Sequence, residues 1–401
     1  MSRPTRLVMA ALLAALSIRH IGTGLYYLAV QQPATGIADL RNRRVENAYF
    51  LDRISPLSQQ VLASEPGSPL ADGADPRLPH GAEFANGALP PWTYPLQLAI
   101  AIPASERIGR LYLAALDLGA LAVVAWLALI RVGGSGADRS TAALAVLSTL
   151  AIGAVNSTMS QGQNGLIVNA GLALVLAALV RRPAWGRAAL GGAAFALAMT
   201  KPSSALPFVL PALARRRWTL LTVSGVVLGA AALCASWWLR HPLLFQWRQF
   251  EHLSRLVIAE GANPALNRFA AATSAELARE VFGVAGLAIA GAAVHRLNRS
   301  SMFVAFAVLA VVARLFTYHR AYDDVLLAFL MIELAARACA PGASPRWPAA
   351  WLVGGASLWL PYSLDASPAA QAAQVAAWCG PALLLVFSGE VRKGGLEPPR
   401  L

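Results

Sequence analysis

Apolar runs separated by short polar breaks repeat along nearly the whole chain. Stretches of about 15 to 22 residues recur at 7–30, 110–130, 141–155, 165–180, 218–238, 281–295, 302–316, 325–340, 347–363 and 370–388. In hydrocarbon an open chain satisfies its backbone polar groups only as a helix, so each run is a candidate spanning helix. The segment from Ala188 to Ala214 lies between Arg187 and the triplet Arg215-Arg216-Arg217, and Lys201-Pro202-Ser203-Ser204 interrupts it at its midpoint. It reads as a tight hairpin of two short helices with Lys201 at the far tip. The pattern predicts an all-α polytopic bundle of about ten to twelve transmembrane helices, one membrane-embedded domain over residues 1–401.

Basic residues set the orientation, because Lys and Arg collect in cytoplasmic loops. Arg3 and Arg6, Arg131 and Arg139, Arg181, Arg182 and Arg187, the 215–217 triplet, Arg296 and Arg299, Arg346 and the pair Arg392-Lys393 all fall between or outside the apolar runs, whereas 156–164 and 361–369 carry no basic residue. The first set is read as cytoplasmic, with both termini inside and residues 389–401 as a cytoplasmic tail. Trp92–Ala104 is apolar but contains Pro95 and Pro103, and if it crossed, every later basic cluster would invert. It is therefore read as a re-entrant helix on the outer side, within a first outer loop at 31–109; a second outer loop spans 239–280.

Composition strengthens this reading. Of the 401 residues 57% are hydrophobic and only 13% charged, against about a quarter charged in soluble domains. The net charge of +13 lies in short clusters between apolar runs, which suits anionic lipid headgroups and implies no nucleic-acid partner. Cys234, Cys339 and Cys379 sit within or at the ends of apolar segments, giving neither a disulfide framework nor a zinc spacing. The first apolar run continues to about Val30 with no clean cleavage site, so it reads as a span and not a removable leader.

Five polar groups are expected on one outer face: Asp39 with Glu46 and Asp52; Leu89-Pro90-Pro91-Trp92-Thr93-Tyr94-Pro95; Asn156 with Ser160-Gln161-Gly162-Gln163-Asn164; Lys201-Pro202; and Tyr318-His319-Arg320-Ala321-Tyr322-Asp323-Asp324. Polar residues at membrane depth are costly and are functional candidates by default. A carboxylate beside cations and amides suits sugar transfer from a polyprenyl phosphate. The carboxylate deprotonates the acceptor hydroxyl while cations stabilise the departing phosphate.

The run Gly162-Gln163-Asn164, an apolar span, Arg181-Arg182, a small-residue helix from Ala188, Lys201-Pro202 and Arg215-Arg216-Arg217-Trp218 together resemble glycosyltransferase family 87. Asp39-Leu40-Arg41-Asn42-Arg43 and Pro90-Pro91-Trp92 resemble that family's acidic loop and Tyr-Pro-Pro segment, and Asn263-Pro264-Ala265-Leu266 its Asn-Gln-Ser-Leu. Leu89 stands where the family has Tyr, and Ala321-Tyr322-Asp323-Asp324, preceded by His319 and Arg320, stands for its late Ser-Trp-x-His element. The resemblance implies a bacterial plasma-membrane enzyme of the GT-C fold, its active site on the extracytoplasmic side. It also implies a polyprenyl-phosphate donor of mannose or an arabinofuranose-like sugar, a glycolipid or glycan acceptor, and inversion. It implies Asp39 as base, Lys201, His319 and Arg320 at the donor phosphate, and Gln161, Gln163, Pro91, Trp92, Tyr322 and Asp324 as substrate contacts.

Each residue has a plainer alternative. Asp39 pairs equally well with Arg41 or Arg43, leaving Asp52 or Glu46 as base; Lys201 can snorkel from a helix end; Gln161 and Gln163 can form an ordinary loop tip; the 319–324 charges can form an interfacial ion-pair network. Asp323-Asp324 also fits Mg2+ or a helix-start charge pattern. Asp117 and Arg314 lie within apolar runs as compensating charges, and Glu333 and Arg337 have pairing i, i+4 spacing. A transporter or flippase of lipid-linked sugars would use the same intramembrane charges, though no internal repeat is apparent.

Overall fold

The computed structural model of the protein describes residues 1–31, 38–65, 88–102, 105–133, 138–181, 184–259, 275–297, 301–317, 321–359 and 368–388, and among them every element is helical. Helix α1 (Arg3–Leu25) starts at Ser2, whose hydroxyl accepts the Thr5 N–H at 3.3 Å, and loosens into a π-turn at Tyr26–Val30. Two helices follow in the polar region, α2 (Ala38–Leu51) and α3 (Pro56–Ser64). Next come α4 (Thr93–Gln97), α5 (Glu106–Gly133), and α6 (Arg139–Leu150) with α7 (Ala154–Gln161), the last two bent by 47° at their junction. Helices α8 (Gly165–Val180), α9 (Trp185–Ala198), α10 (Pro202–Ala205), α11 (Val209–Ala214), α12 (Trp218–Leu239) and α13 (Leu243–Ala259) continue the chain. The last five are α14 (Ala275–Leu297), α15 (Met302–Phe316), α16 (Ala328–Ala338), α17 (Arg346–Trp359) and α18 (Pro368–Phe387), with a 3-10 turn at Ala321–Leu327 before α16.

Among the described residues all ten apolar runs, and both arms of the segment broken at Lys201, are mainly helical. Among the described residues three helices are long and apolar enough to cross a bilayer, Arg3–Val30, Glu106–Gly133 and Trp218–Leu239, and a fourth if the bent pair α6–α7 is one span. A helix apolar all round belongs inside a bundle, and α15 obeys: every residue from Met302 to Leu315 is buried. Helix α8 and the first two turns of α16 are enclosed in the same core. The outward faces are apolar, with Ile18 on α1, Val226 and Trp237 on α12 and Val284 on α14 all more than 60% exposed. Apolar surface of that kind requires lipid around it, and the protein is a membrane protein.

Two groups of charges inside the bundle are paired. Glu333, fully buried, takes two hydrogen bonds from Arg131 at 2.7 and 3.1 Å and one from Arg337 at 2.7 Å. The i, i+4 pair expected from sequence is present, with Arg131 of α5 as a third member. Arg314 of α15 pairs with Asp324, both 1% exposed. Asp117 of α5 is fully buried, and neither of its oxygens has a hydrogen-bond partner among the described residues.

Residues 31–109, expected as the first outer loop, contain further helices. Two of them, α2 and α3, fall within 38–64, and α2 buries Leu40, Val45, Tyr49 and Phe50 while carrying its charges among them. Arg53 ends α2 in the left-handed conformation (φ 61°) with its guanidinium 4.4 Å from the Trp238 ring. Of the Trp92–Ala104 segment, expected as a re-entrant helix, the described residues 92–102 form the five-residue α4 followed by turns. Thr93, Tyr94 and Gln97 are buried there, and Gln97 turns its amide into a polar cluster on α2. The 389–401 tail lies outside the described residues.

Candidate active site

The site is organised by the turn between α7 and α8. Gly162 has φ +68°, its N–H bonds the Met159 carbonyl at 3.0 Å, and the Gln163 N–H bonds that of Thr158 at 2.9 Å. This is the Schellman pattern, which favours glycine at the left-handed position. Glycine is required a second time, since a Cβ here would lie 2.5 Å from the Leu40 Cβ of α2. The turn is thereby pressed against the first turn of α2, which carries Asp39.

Gln163, 9% exposed, donates its amide to Asp39 Oδ2. The neighbouring Asn164 donates to the Thr200 hydroxyl at 3.1 Å, and Thr200 adjoins Lys201. Three consecutive residues thus tie the acidic helix to the break at Lys201. Asp39, Arg43, Gln97, Gly162, Gln163 and Asn164 line one cleft, with Leu113 of α5 among its apolar walls.

Behind Asp39 the cleft is braced by a buried polar cluster. Glu46 is fully buried and accepts from Arg43 Nη1 at 2.7 Å, Gln60 at 2.8 Å and Gln97 at 2.9 Å. Burial pushes its carboxyl above the usual range, against the pull of Arg43, Gln97 and Gln60. A carboxylate so engaged holds the wall and is not presented to a substrate. Asp52, exposed and thirteen residues along the chain from Asp39, stands about 20 Å away at 1.5 Å per helical residue. Of the three carboxylates in this region, Asp39 alone lines the cleft.

Lys201 Nζ donates to Asp323 Oδ1 and lies 4.9 Å from the Tyr322 ring centroid. The Tyr322 carbonyl accepts the Thr158 hydroxyl at 2.8 Å, so the 3-10 turn is pinned to α7. Trp92 donates its indole N–H to the Met199 carbonyl at 2.9 Å, two residues before Lys201, and stands 6.0 Å from the Trp247 ring. Pro91 is buried beside it in the chain, and Gln161 is half-buried at the end of α7. Asp324, expected as a substrate contact, points into the bundle to Arg314. The two adjacent carboxylates therefore diverge onto different cations instead of forming one chelate. Among the described residues no three His, Cys, Asp or Glu side chains gather as metal ligands. His319 and Arg320 lie outside the described residues.

A family model described as glycosyltransferase family 87 matches residues 92–318, more than half the chain. The chain belongs to glycosyltransferase family 87. Neither the comparison with curated proteins nor that with solved structures found a match. Membership makes the protein a glycosyltransferase, an enzyme with a sugar donor and an acceptor. The matched region begins at Trp92 and contains the Gln163-Asn164 turn and Lys201, whereas Asp39 precedes it.

For a family 87 glycosyltransferase the useful information in this geometry is relational. Sequence reading singled out Asp39, Gln163 and Lys201 separately and treated Gln163 as a substrate contact; the structure joins Gln163 to Asp39. It did not single out Asn164–Thr200 or Gln97 as partners. A polar residue beside each known candidate was the only available signal, since these bonds join residues 36 and 51 positions apart.

Proposed function

We propose that the protein moves a mannose or arabinofuranose-like sugar from a polyprenyl phosphate to an acceptor hydroxyl on a glycolipid or glycan. The scaffold is a GT-C-type bundle of about ten to twelve spans in a bacterial plasma membrane, with the reaction on the extracytoplasmic side. The observation that carries this reading is the Gln163-to-Asp39 hydrogen bond in a cleft whose lining residue Asn164 reaches Thr200, next to Lys201.

The chemistry follows from those groups. Gln163 engages Oδ2 of Asp39, which leaves Oδ1 to accept the proton of an acceptor hydroxyl. The freed oxygen attacks the anomeric carbon from the face opposite the phosphate. The bond from the anomeric carbon to the phosphate oxygen breaks, and its electron pair leaves with the polyprenyl monophosphate. One displacement inverts the anomeric centre. Lys201 meets the charge that grows on the phosphate, and His319 and Arg320 are assigned to the same side. Tyr322 flanks the Lys201 ammonium, while Pro91, Trp92 and Gln161 shape the substrate walls. This scheme needs no metal, although Mg2+ at the phosphate is compatible with it.

The test is sugar transfer by the purified protein in lipid, with a panel of radiolabelled polyprenyl-phosphate sugars and host membrane extract as acceptor source. Product from one donor supports the reading. Movement of labelled lipid across the membrane with no product from any donor would instead favour a transporter or flippase.

A further inference from the structure

Two buried aspartates follow one another in the 3-10 turn, and their ion pairs differ in kind. Asp324 and Arg314 are each 1% exposed and form a sealed bridge within the core. Asp323 is 3% exposed, but its partner Lys201 keeps 15% of its side chain accessible. The second bridge has an open side. Lys201 also lies at a break in the helical path, between α9 and α10, with Pro202 starting the next helix. An ammonium has three donors, and a carboxylate oxygen and a phosphate oxygen satisfy it in the same way.

We propose that Asp323 is a resident stand-in for the donor's phosphate: its carboxylate holds Lys201 while the site is empty and releases it when the phosphate arrives. This rests on the reading of Lys201 as the phosphate contact. Asp323 is thus a positioning residue. The carboxylate keeps the lysine oriented between turnovers, and repels a phosphate that occupies its place. The exchange is a side-chain event, because the backbone on either side is fixed. Thr158 holds the Tyr322 carbonyl at 2.8 Å, and the Asn169 amide holds the Val325 carbonyl. Residue 165 of α8 is glycine, and a Cβ there would lie 3.9 Å from Asp323 Oδ1 and 3.4 Å from methyl groups of Thr158 and Val325, so any larger residue would narrow the space beside the carboxylate. The Tyr322 ring, 4.9 Å from Nζ, holds the ammonium in place after the carboxylate leaves. A transferase built this way releases its product readily, since the internal anion returns to Lys201 as the polyprenyl phosphate departs.

Farnesyl phosphate is a suitable probe, a short isoprenyl phosphate without sugar, titrated into the full-length protein in lipid nanodiscs with farnesol as the phosphate-free control. Wild type, Asp323→Asn, Asp323→Ser and Lys201→Met are compared, each checked for folding by thermal unfolding. The expected result is that both Asp323 variants bind farnesyl phosphate about tenfold more tightly than wild type, as removal of a like charge from the site requires. Lys201→Met binds it no better than farnesol. Unchanged or weaker binding by folded Asp323 variants, with Lys201→Met still defective, would overturn the stand-in while leaving the phosphate reading intact. Wild-type affinity in Lys201→Met would overturn both. Failure of both Asp323 variants to fold would mark a structural bridge and also overturn the stand-in.

Discussion

Gly162 and Leu40 approach so closely that a Cβ on residue 162 would fall 2.5 Å from that of Leu40. This contact seats the turn carrying Gln163 against the helix carrying Asp39, so the proposed base and its hydrogen-bond partner are placed by backbone packing and not by side-chain reach alone. Gly162→Ala meets both the clash and the left-handed φ of +68°. It should cost about 1–3 kcal/mol of stability and nearly all transfer activity. Thermal unfolding and turnover check this. In the background of Leu40→Gly the same substitution should lose less, because the Cβ it would meet at 2.5 Å is gone while the φ penalty stays.

Gln163→Leu keeps the bulk and removes the donor to Asp39. Hydrogen bonds to charged groups are worth about 1.5–3 kcal/mol, so kcat should fall by about 10- to 100-fold. The KM for donor should change little, because Gln163 reaches Asp39, the proposed base, and not Lys201, the proposed phosphate contact. Gln163→Glu, which sets a carboxylate against Asp39, should be worse than Gln163→Leu. A rise in donor KM with kcat preserved would assign Gln163 to the substrate instead.

Glu46 tests whether the cluster behind the cleft is structural. Glu46→Ala leaves Arg43 beside the cleft without its buried carboxylate partner. Breaking one side of a buried ion pair costs about 3–5 kcal/mol, which should appear as a lower melting temperature or as loss of protein from the membrane fraction. The double variant Glu46→Leu with Arg43→Met should be milder than Glu46→Ala, since no charge is stranded.

Much of this architecture is legible in the sequence. The apolar runs become helices because length and composition decide that locally, and Lys201-Pro202 breaks its segment because proline cannot continue the preceding turn. Short contacts link Asp39 to Gln163, Asn164 to Thr200 beside Lys201, Lys201 to Tyr322, and Trp92 to Met199. What remained hidden is pairing. Periodicity says nothing of a bond between residues 124 positions apart, such as Gln163 with Asp39, or 122 apart, such as Lys201 with Asp323. Helix α2 was masked by its charges: Arg43 and Glu46 look solvated in sequence but neutralise each other inside. Asp324 looked like a site residue for the same reason, until Arg314 of α15 accounted for it.

The cap of α6 gives a pH prediction. Asp138 caps α6, accepting the Thr141 N–H at 2.9 Å and the Ser140 hydroxyl at 2.8 Å, and pairs with Arg6 at 2.7 Å. The Thr141 backbone bond first, then the hydroxyls and Arg6, hold its carboxyl down from 3.8 to about 2. A folded value below the unfolded one means that the ionised group stabilises the fold above about pH 4, and that this contribution disappears as pH falls from about 4 to about 2. Asp138→Ala should therefore melt below wild type at neutral pH, and the two curves should converge near pH 2. A constant offset across that window would contradict the assignment.

The central claim is that Asp39 removes the proton from the acceptor in a reaction driven from a polyprenyl-phosphate sugar. It is tested most directly by comparing sugar transfer from the active donor by wild type and Asp39→Asn, both purified in lipid and matched for folding. Loss of transfer by at least about a thousandfold, at the upper end of general-base contributions, with farnesyl phosphate binding retained, is the predicted result. Transfer at near wild-type rate by the folded Asp39→Asn protein would contradict it.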